Sequence, residues 1–275
     1  GSADLATGQA RIAGLSPPND LPKTILTDHP ERVRAMFVDS GNPANTVTDI
    51  TAVEKALSSL DLLVVVEVAM TETARLADYV LPACNQFERW ENTLFNFEYP
   101  HNVFQLREPL FDPLPGTLPE PEIYARLIRA MGFMPADAQL NHLRELAVSD
   151  RAAFSAAFAD LLKEAPHHRY IAPVILYETL GRALPPGAAA TAVWWPAAHQ
   201  CARVNRDAVI GAGFQGEGPA LGEALFEAMV SRRSGVIFTD EKHEDLWRLV
   251  GHADGKVHLA IPEMFDWLAR LNVAD

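Results

Sequence analysis

With 275 residues the chain is long enough for one large or two ordinary domains and a sizeable core. Its hydrophobic fraction of 48% and charged fraction of 21% fit a soluble globular protein, and no apolar run approaches the roughly 20 residues that span a bilayer. A net charge of −13 argues against nucleic acid or an anionic membrane as partner and favours plain solubility.

Taken in chain order, residues 1–30 carry Pro17, Pro18, Pro22 and Pro30 with little periodicity and read as a connecting arm. Residues 31–83 read as an α/β half-domain. Ala35–Val38 and Leu62–Val66 are predicted strands, and the stretch between them puts Ile50, Val53, Leu57 and Leu60 on one helical face. Thr51 and Glu54 have capping-box spacing near the start of that helix. A third short apolar piece, Tyr79–Leu81, follows.

Residues 84–135 begin with Phe95, Phe97, Tyr99, Phe104 and Phe111 among Pro109, Pro113, Pro115, Pro119 and Pro121, a composition that predicts an extended crossing segment. A helix is predicted from Glu122, with Ile123, Leu127 and Met131 in register and Gly132 as its stop. Residues 136–275 read as a helical and mixed α/β region. Two amphipathic helices use Leu140, Leu143 and Leu146, then Phe154, Phe158 and Leu161. Residues 170–209 are mostly helical, broken at Pro185, Pro186, Gly187 and Pro196. A strand at Val236–Phe238, a helix around Leu246–Val250, a strand at Val257–Ile261 and a helix from Pro262 complete the prediction. The fold class is therefore α/β, a partial doubly wound (Rossmann-like) parallel sheet followed by a mostly helical region with a few further strands.

In parallel sheets ligands sit beyond the carboxyl ends of the strands, and here those ends carry Ser40-Gly41-Asn42-Pro43 and Glu67. The succession GNPANT, LLVVVE and TETARLADYVLP, then the acid–base pair Glu88-Arg89 before Glu91-Asn92-Thr93, resembles the molybdopterin oxidoreductases over roughly residues 30–132. That family carries molybdenum or tungsten on two pterin guanine dinucleotides and includes formate dehydrogenases and nitrate reductases.

The resemblance implies which residues would meet the cofactor. Asn42 would touch the dinucleotide through its amide, with Gly41 permitting close backbone approach; without the family it is a turn asparagine before proline. Glu67 stands where the family usually has aspartate, and a carboxylate there can accept from the guanine N1–H and amino group. The alternative is a solvated strand-end acid. Thr71 and Thr73 can cap the next helix and reach the nucleotide, while Asp78 organises a local turn. Arg89, at a usual lysine position, would meet a pyrophosphate or pterin oxygen, although Trp90 to Asn92 replace the family's acid and glycine. Glu122 aligns with an acid used on guanine in some relatives, or is simply a helix-start acid. No residue here is expected to be catalytic or to ligate metal.

Most members carry an iron–sulfur cluster on four closely spaced cysteines. Cys84 and Cys201 cannot supply it, and as a distant pair they fit a reducing, cytoplasmic compartment. The expectation is a fragment of a larger enzyme lacking the iron–sulfur region and the C-terminal barrel. Its partners would be the parent's remaining domains and an electron-transfer subunit, and uncovered apolar faces would promote self-association. The parent reaction would be a two-electron redox step on a small substrate such as formate or nitrate.

Two other readings stand beside this one. Gly211-Ala212-Gly213-Phe214-Gln215-Gly216 fits GxGxxG, with Asp240 downstream, and offers an NAD(P) site, although the preceding residues 203–210 are polar for a buried strand. A non-catalytic scaffold or subunit-interaction module is the second. His167-His168 and His243-Glu244 lack the partners of a zinc site, and Trp194-Trp195 reads as core or interface.

Overall fold

The parallel sheet forms where the sequence is apolar on both faces. In the computed structural model, which describes residues 3–8, 11, 14–93 and 98–269, strand β1 (Ala35–Asp39) pairs with β2 (Leu62–Glu67) and β2 with β3 (Tyr79–Pro82), all parallel. The central strand is nearly all aliphatic because both of its faces are covered, and Leu63, Val64, Val65 and Val66 are buried. Val64 is flanked in register by Phe37 and Tyr79, which remain 51% and 63% exposed, so cover is lost on the two flanking strands while the central one stays buried.

The other face is covered by crossover helices. α1 (Leu21–Leu26) precedes the sheet, α2 (Pro43–Thr46) and α3 (Ile50–Leu57) join β1 to β2, and α4 (Glu72–Leu76) joins β2 to β3. Val53 and Leu57 of α3 pack with Val38, Leu63 and Val65, and with Ala44 and Ala74 from the short helices. Ile50, predicted on this apolar face, is instead 49% exposed. The predicted Thr51 cap is also corrected: Asp49 caps α3, its Oδ1 accepting from Ala52 N–H at 3.0 Å from a left-handed backbone with φ 63°. Aspartate tolerates that conformation better than most residues.

The chain divides into two units, Gly1–Glu91 with Arg107–Trp194 and Asn92–Leu106 with Trp195–Asp275. In the first unit, α5 (Glu120–Ala130) starts two residues before the predicted Glu122 and lays Ile123 and Leu127 against Val66, Leu81 and Ala83. α6 (Asp137–Ser149) and α7 (Arg151–Glu164) bury Leu140, Leu143, Phe154, Phe158 and Leu161, as predicted. Asp150 ends one and caps the other, Oδ1 accepting from the N–H groups of Ala152 and Ala153 at 3.0 Å each. α8 (Ala172–Glu178) and short 3-10 turns follow.

β4 (Glu91–Asn92), β5 (His101–Phe104) and β6 (Leu106–Arg107) occupy the crossing segment, and Phe95 and Phe97 lie outside the described residues. In the second unit β5 pairs antiparallel with β7 (Val236–Asp240), beside α9 (Trp194–Val204), α10 (Arg206–Gly211) and α11 (Pro219–Ser231). The predicted strand at Val257–Ile261 does not form. Val257, Leu259 and Ile261 are 59%, 92% and 46% exposed, so apolar letters there report no burial. The predicted helix near Leu246 is a 3-10 stretch, His243–Leu249, while α12 (Pro262–Leu268) does begin at Pro262. Among the described residues no helix is long and apolar enough to cross a membrane.

Candidate functional site

The carboxyl edge of the parallel sheet gathers four of the predicted residues: Gly41 and Asn42 after β1, Glu67 at the end of β2, and Thr71 at the start of α4. The strand ends are locked together by Ser40 N–H donating to Val66 O at 3.0 Å and Ala83 N–H donating to Glu67 O at 3.1 Å. Ser40, not Gly41, takes the left-handed backbone (φ 51°). A side chain at Gly41 would meet Val38 Cγ1 and Asp39 O at an ordinary 3.6–3.7 Å, so nothing in the chain itself demands glycine there.

Asn42 is bonded within the protein. Its Oδ1 accepts from Thr73 N–H at 3.2 Å and from Thr73 Oγ1 at 2.8 Å, and its Nδ2 donates to Glu72 Oε2 at 2.7 Å. Thr73 Oγ1 in turn accepts from Ala44 N–H at 3.0 Å. Both acceptor positions of the amide are therefore used within the protein, and one amide N–H is left for anything else. Asn42 braces the two crossover loops. Hydrogen bonding by Asn42 is also the first cause that holds the Glu72 carboxyl below its ordinary range.

Glu67 keeps chemical capacity. It is half-buried, and Oε1 accepts from the N–H of Val68 at 2.7 Å, which folds the longer side chain back over the strand end. Oε2 has no partner among the described residues, so one carboxylate oxygen remains to accept. Thr71 caps α4, its Oγ1 accepting from Ala74 N–H at 3.2 Å, and its hydroxyl proton has no acceptor among the described residues. Asp78, expected to organise a local turn, instead ties the segment after α4 to β2: its Oδ2 accepts from Leu63 N–H at 2.7 Å and its own N–H donates to Leu63 O at 2.9 Å.

Arg89 and Glu122 do not touch these four. The Arg89 guanidinium pairs with Glu120 and, at 3.3 Å, with Glu91, so two carboxylates surround one cation. Glu122 accepts from Arg126 Nε and from Tyr177 OH, each at 2.8 Å. Burial alone would raise its carboxyl, but these donors outweigh it and hold the pKa below the ordinary value. Two positions further along α5 lies Tyr124, which no sequence motif marks. Its hydroxyl donates to Asp39 Oδ2 at 2.8 Å, and burial, reinforced by Asp39, pushes its pKa up to about 12. The residues that carry this contact are an acid closing β1 and a tyrosine in the first turns of α5.

The rival glycine motif loses its context. Residues before Gly211 form the helix α10, where a nicotinamide fingerprint requires a strand. Gly216 (φ 139°) is explained locally, since a Cβ there would lie 2.8 Å from Leu221 N. Both cysteines are free, and among the described residues no group of three or more His, Cys, Asp or Glu side chains is placed to hold a metal.

Residues 5–116 match the family model described as molybdopterin oxidoreductase. The chain is 34% identical over 131 residues to the "Probable oxidoreductase YoaE" of Bacillus subtilis, covering 47% of this chain and 18% of that protein. It is 32% identical over 108 residues to the "Thiosulfate reductase molybdopterin-containing subunit PhsA" of Salmonella typhimurium (39% and 14% covered). It is 42% identical over 85 residues to the "F420-dependent formate dehydrogenase 1 subunit alpha" of Methanococcus maripaludis (31% and 12% covered). The matched stretch spans less than a fifth of each of these relatives.

Proposed function

From the match of residues 5–116 to the molybdopterin oxidoreductase model, we propose that the chain is part of that family and that the carboxyl edge of its parallel sheet holds the guanine end of a molybdopterin guanine dinucleotide. The observation that carries the reading is the uncommitted Glu67 Oε2 at the end of β2. A guanine presents two neighbouring N–H donors, and a carboxylate oxygen is the acceptor that suits them. Thr71 can donate its hydroxyl proton. Asn42 and Thr73 hold the loops that shape the edge.

The fit is good for the base and poor for the pyrophosphate. Arg89, the cation implied for that role, is already shared by Glu91 and Glu120. A diphosphate would have to displace one of them. When bound, the pterins supply molybdenum or tungsten and the two-electron chemistry. This chain's residues bind and orient, and none of those named breaks a substrate bond. In this reading the protein works with further domains of a cytoplasmic oxidoreductase and an electron-transfer subunit, on a small substrate such as formate, nitrate or thiosulfate. The exposed Phe37 and Tyr79 are a surface through which the isolated chain would self-associate.

A scaffold role is the second reading, favoured by the internal satisfaction of Asn42 and Arg89. Metal and pterin analysis of the protein purified from its natural host separates the two. Molybdenum or tungsten with a pterin fluorophore supports cofactor binding. A folded protein free of all three would leave only the scaffold.

A further inference from the structure

The chain carries a net charge of −13, yet three guanidinium groups from three different elements converge on one buried carboxylate. Glu178, the last residue of α8, is only 8% exposed at its side chain. Its Oε2 lies 3.5 Å from Arg129 of α5, 3.2 Å from Arg144 of α6 and 3.2 Å from Arg182 of the 3-10 turn Leu180–Ala183. Arg144 is anchored further, Nε donating to Glu178 O and Nη1 to Asn141 Oδ1, each at 2.8 Å. The Arg182 guanidinium lies over the Tyr177 ring, 5.3 Å from its centroid.

The charges do not balance. Nearby Glu122 is occupied by Arg126 and Tyr177, and Asp137 reaches only Arg129, at 3.8 Å and 85% exposed. One to two positive charges are therefore left over against Glu178. The three arginine side chains are 46%, 33% and 49% exposed, so their outer edges face solvent. Nε and Nη1 of Arg182 and Nε of Arg129 have no partner among the described residues. Guanidinium groups fixed from beneath by a carboxylate, with donors left pointing outward, make a preorganised oxyanion receptor. We propose that Arg129, Arg144 and Arg182 form a binding site for a phosphoryl group.

Thermal unfolding of the full chain in inorganic phosphate, against chloride at matched ionic strength, tests this directly. At roughly tenfold the dissociation constant, phosphate should raise Tm by about 2–3 °C beyond chloride. Arg182→Gln should abolish the difference. Glu178→Gln keeps all three cations and removes their internal counter-charge, so its gain should exceed that of the wild type. If Glu178→Gln does not fold, the Arg182→Gln arm decides alone, read also by 31P line broadening. Equal gains in wild type and Arg182→Gln, or a chloride effect matching phosphate, would overturn the proposal and leave the cluster a purely internal brace.

Discussion

Asn42 and Thr73 are 31 positions apart in sequence, yet the buried Thr73 hydroxyl gives its proton to the Asn42 amide oxygen at 2.8 Å and receives one from Ala44 N–H at 3.0 Å. That chain of bonds ties the loop after β1 to the helix after β2, directly at the edge where a ligand would lie. Thr73→Val keeps the shape but orphans the Ala44 N–H and half of the Asn42 oxygen. The expected loss is about 1–3 kcal/mol of stability, read from the urea midpoint with an unchanged slope. A midpoint equal to wild type would mean that the loops are held by packing alone.

Gly181 lies so close to Ala189 that an added Cβ would be 2.5 Å from its carbonyl oxygen. The obstacle is backbone and cannot rotate away. Gly181→Ala should therefore cost about 1–3 kcal/mol, the usual range for overpacking, and lower Tm by several degrees. Gly132→Ala provides a contrast, since that position is open and any cost there comes from its positive φ (74°) alone.

His168 is buried, and its Nδ1 has no hydrogen-bond partner among the described residues. Burial first, then the neighbouring His167, lowers its pKa below 6.5. The unfolded chain then binds a proton that the folded chain refuses, so this residue's contribution to stability is fully present above about pH 6.5 and is lost as pH falls toward the folded value. Urea midpoints at pH 8 and pH 5.5 should differ more for wild type than for His168→Gln. Parallel curves would assign the acid sensitivity to other groups.

NADH should not bind. The helix α10 ahead of Gly211 removes the strand on which a dinucleotide fold depends, and the tight contact of Gly216 with Leu221 explains that glycine without a ligand. Titration at millimolar NADH should leave both nucleotide fluorescence and Tm unchanged.

Much of the sheet was legible because parallel strands buried on both faces are written as unbroken aliphatic runs, and α3 carries its core face at helical spacing. The cap at Asp49 was not, since a left-handed residue ahead of a threonine leaves no periodic trace. The strand predicted at Val257–Ile261 failed for a related reason: alternation counts apolar letters, but a strand also needs a partner to pair with. At the site, position was readable and partnership was not. Gly41, Asn42, Glu67 and Thr71 do gather at one edge, but the bonds that occupy Asn42 come from Glu72 and Thr73 on another crossover. Arg89 met the same fate through Glu120, and the three arginines around Glu178 are scattered over positions 129 to 182.

Guanine binding at the sheet edge would depend on Glu67, and a guanine nucleotide is the ligand that tests it. Calorimetric titration with GDP, which presents the base and a diphosphate, should show binding that Glu67→Ala weakens by roughly 10- to 100-fold, as expected for losing a charge-assisted pair of hydrogen bonds. ADP should bind the wild type no better than GDP binds the variant. Equal GDP affinity for wild type and Glu67→Ala, with both proteins folded, would contradict the account.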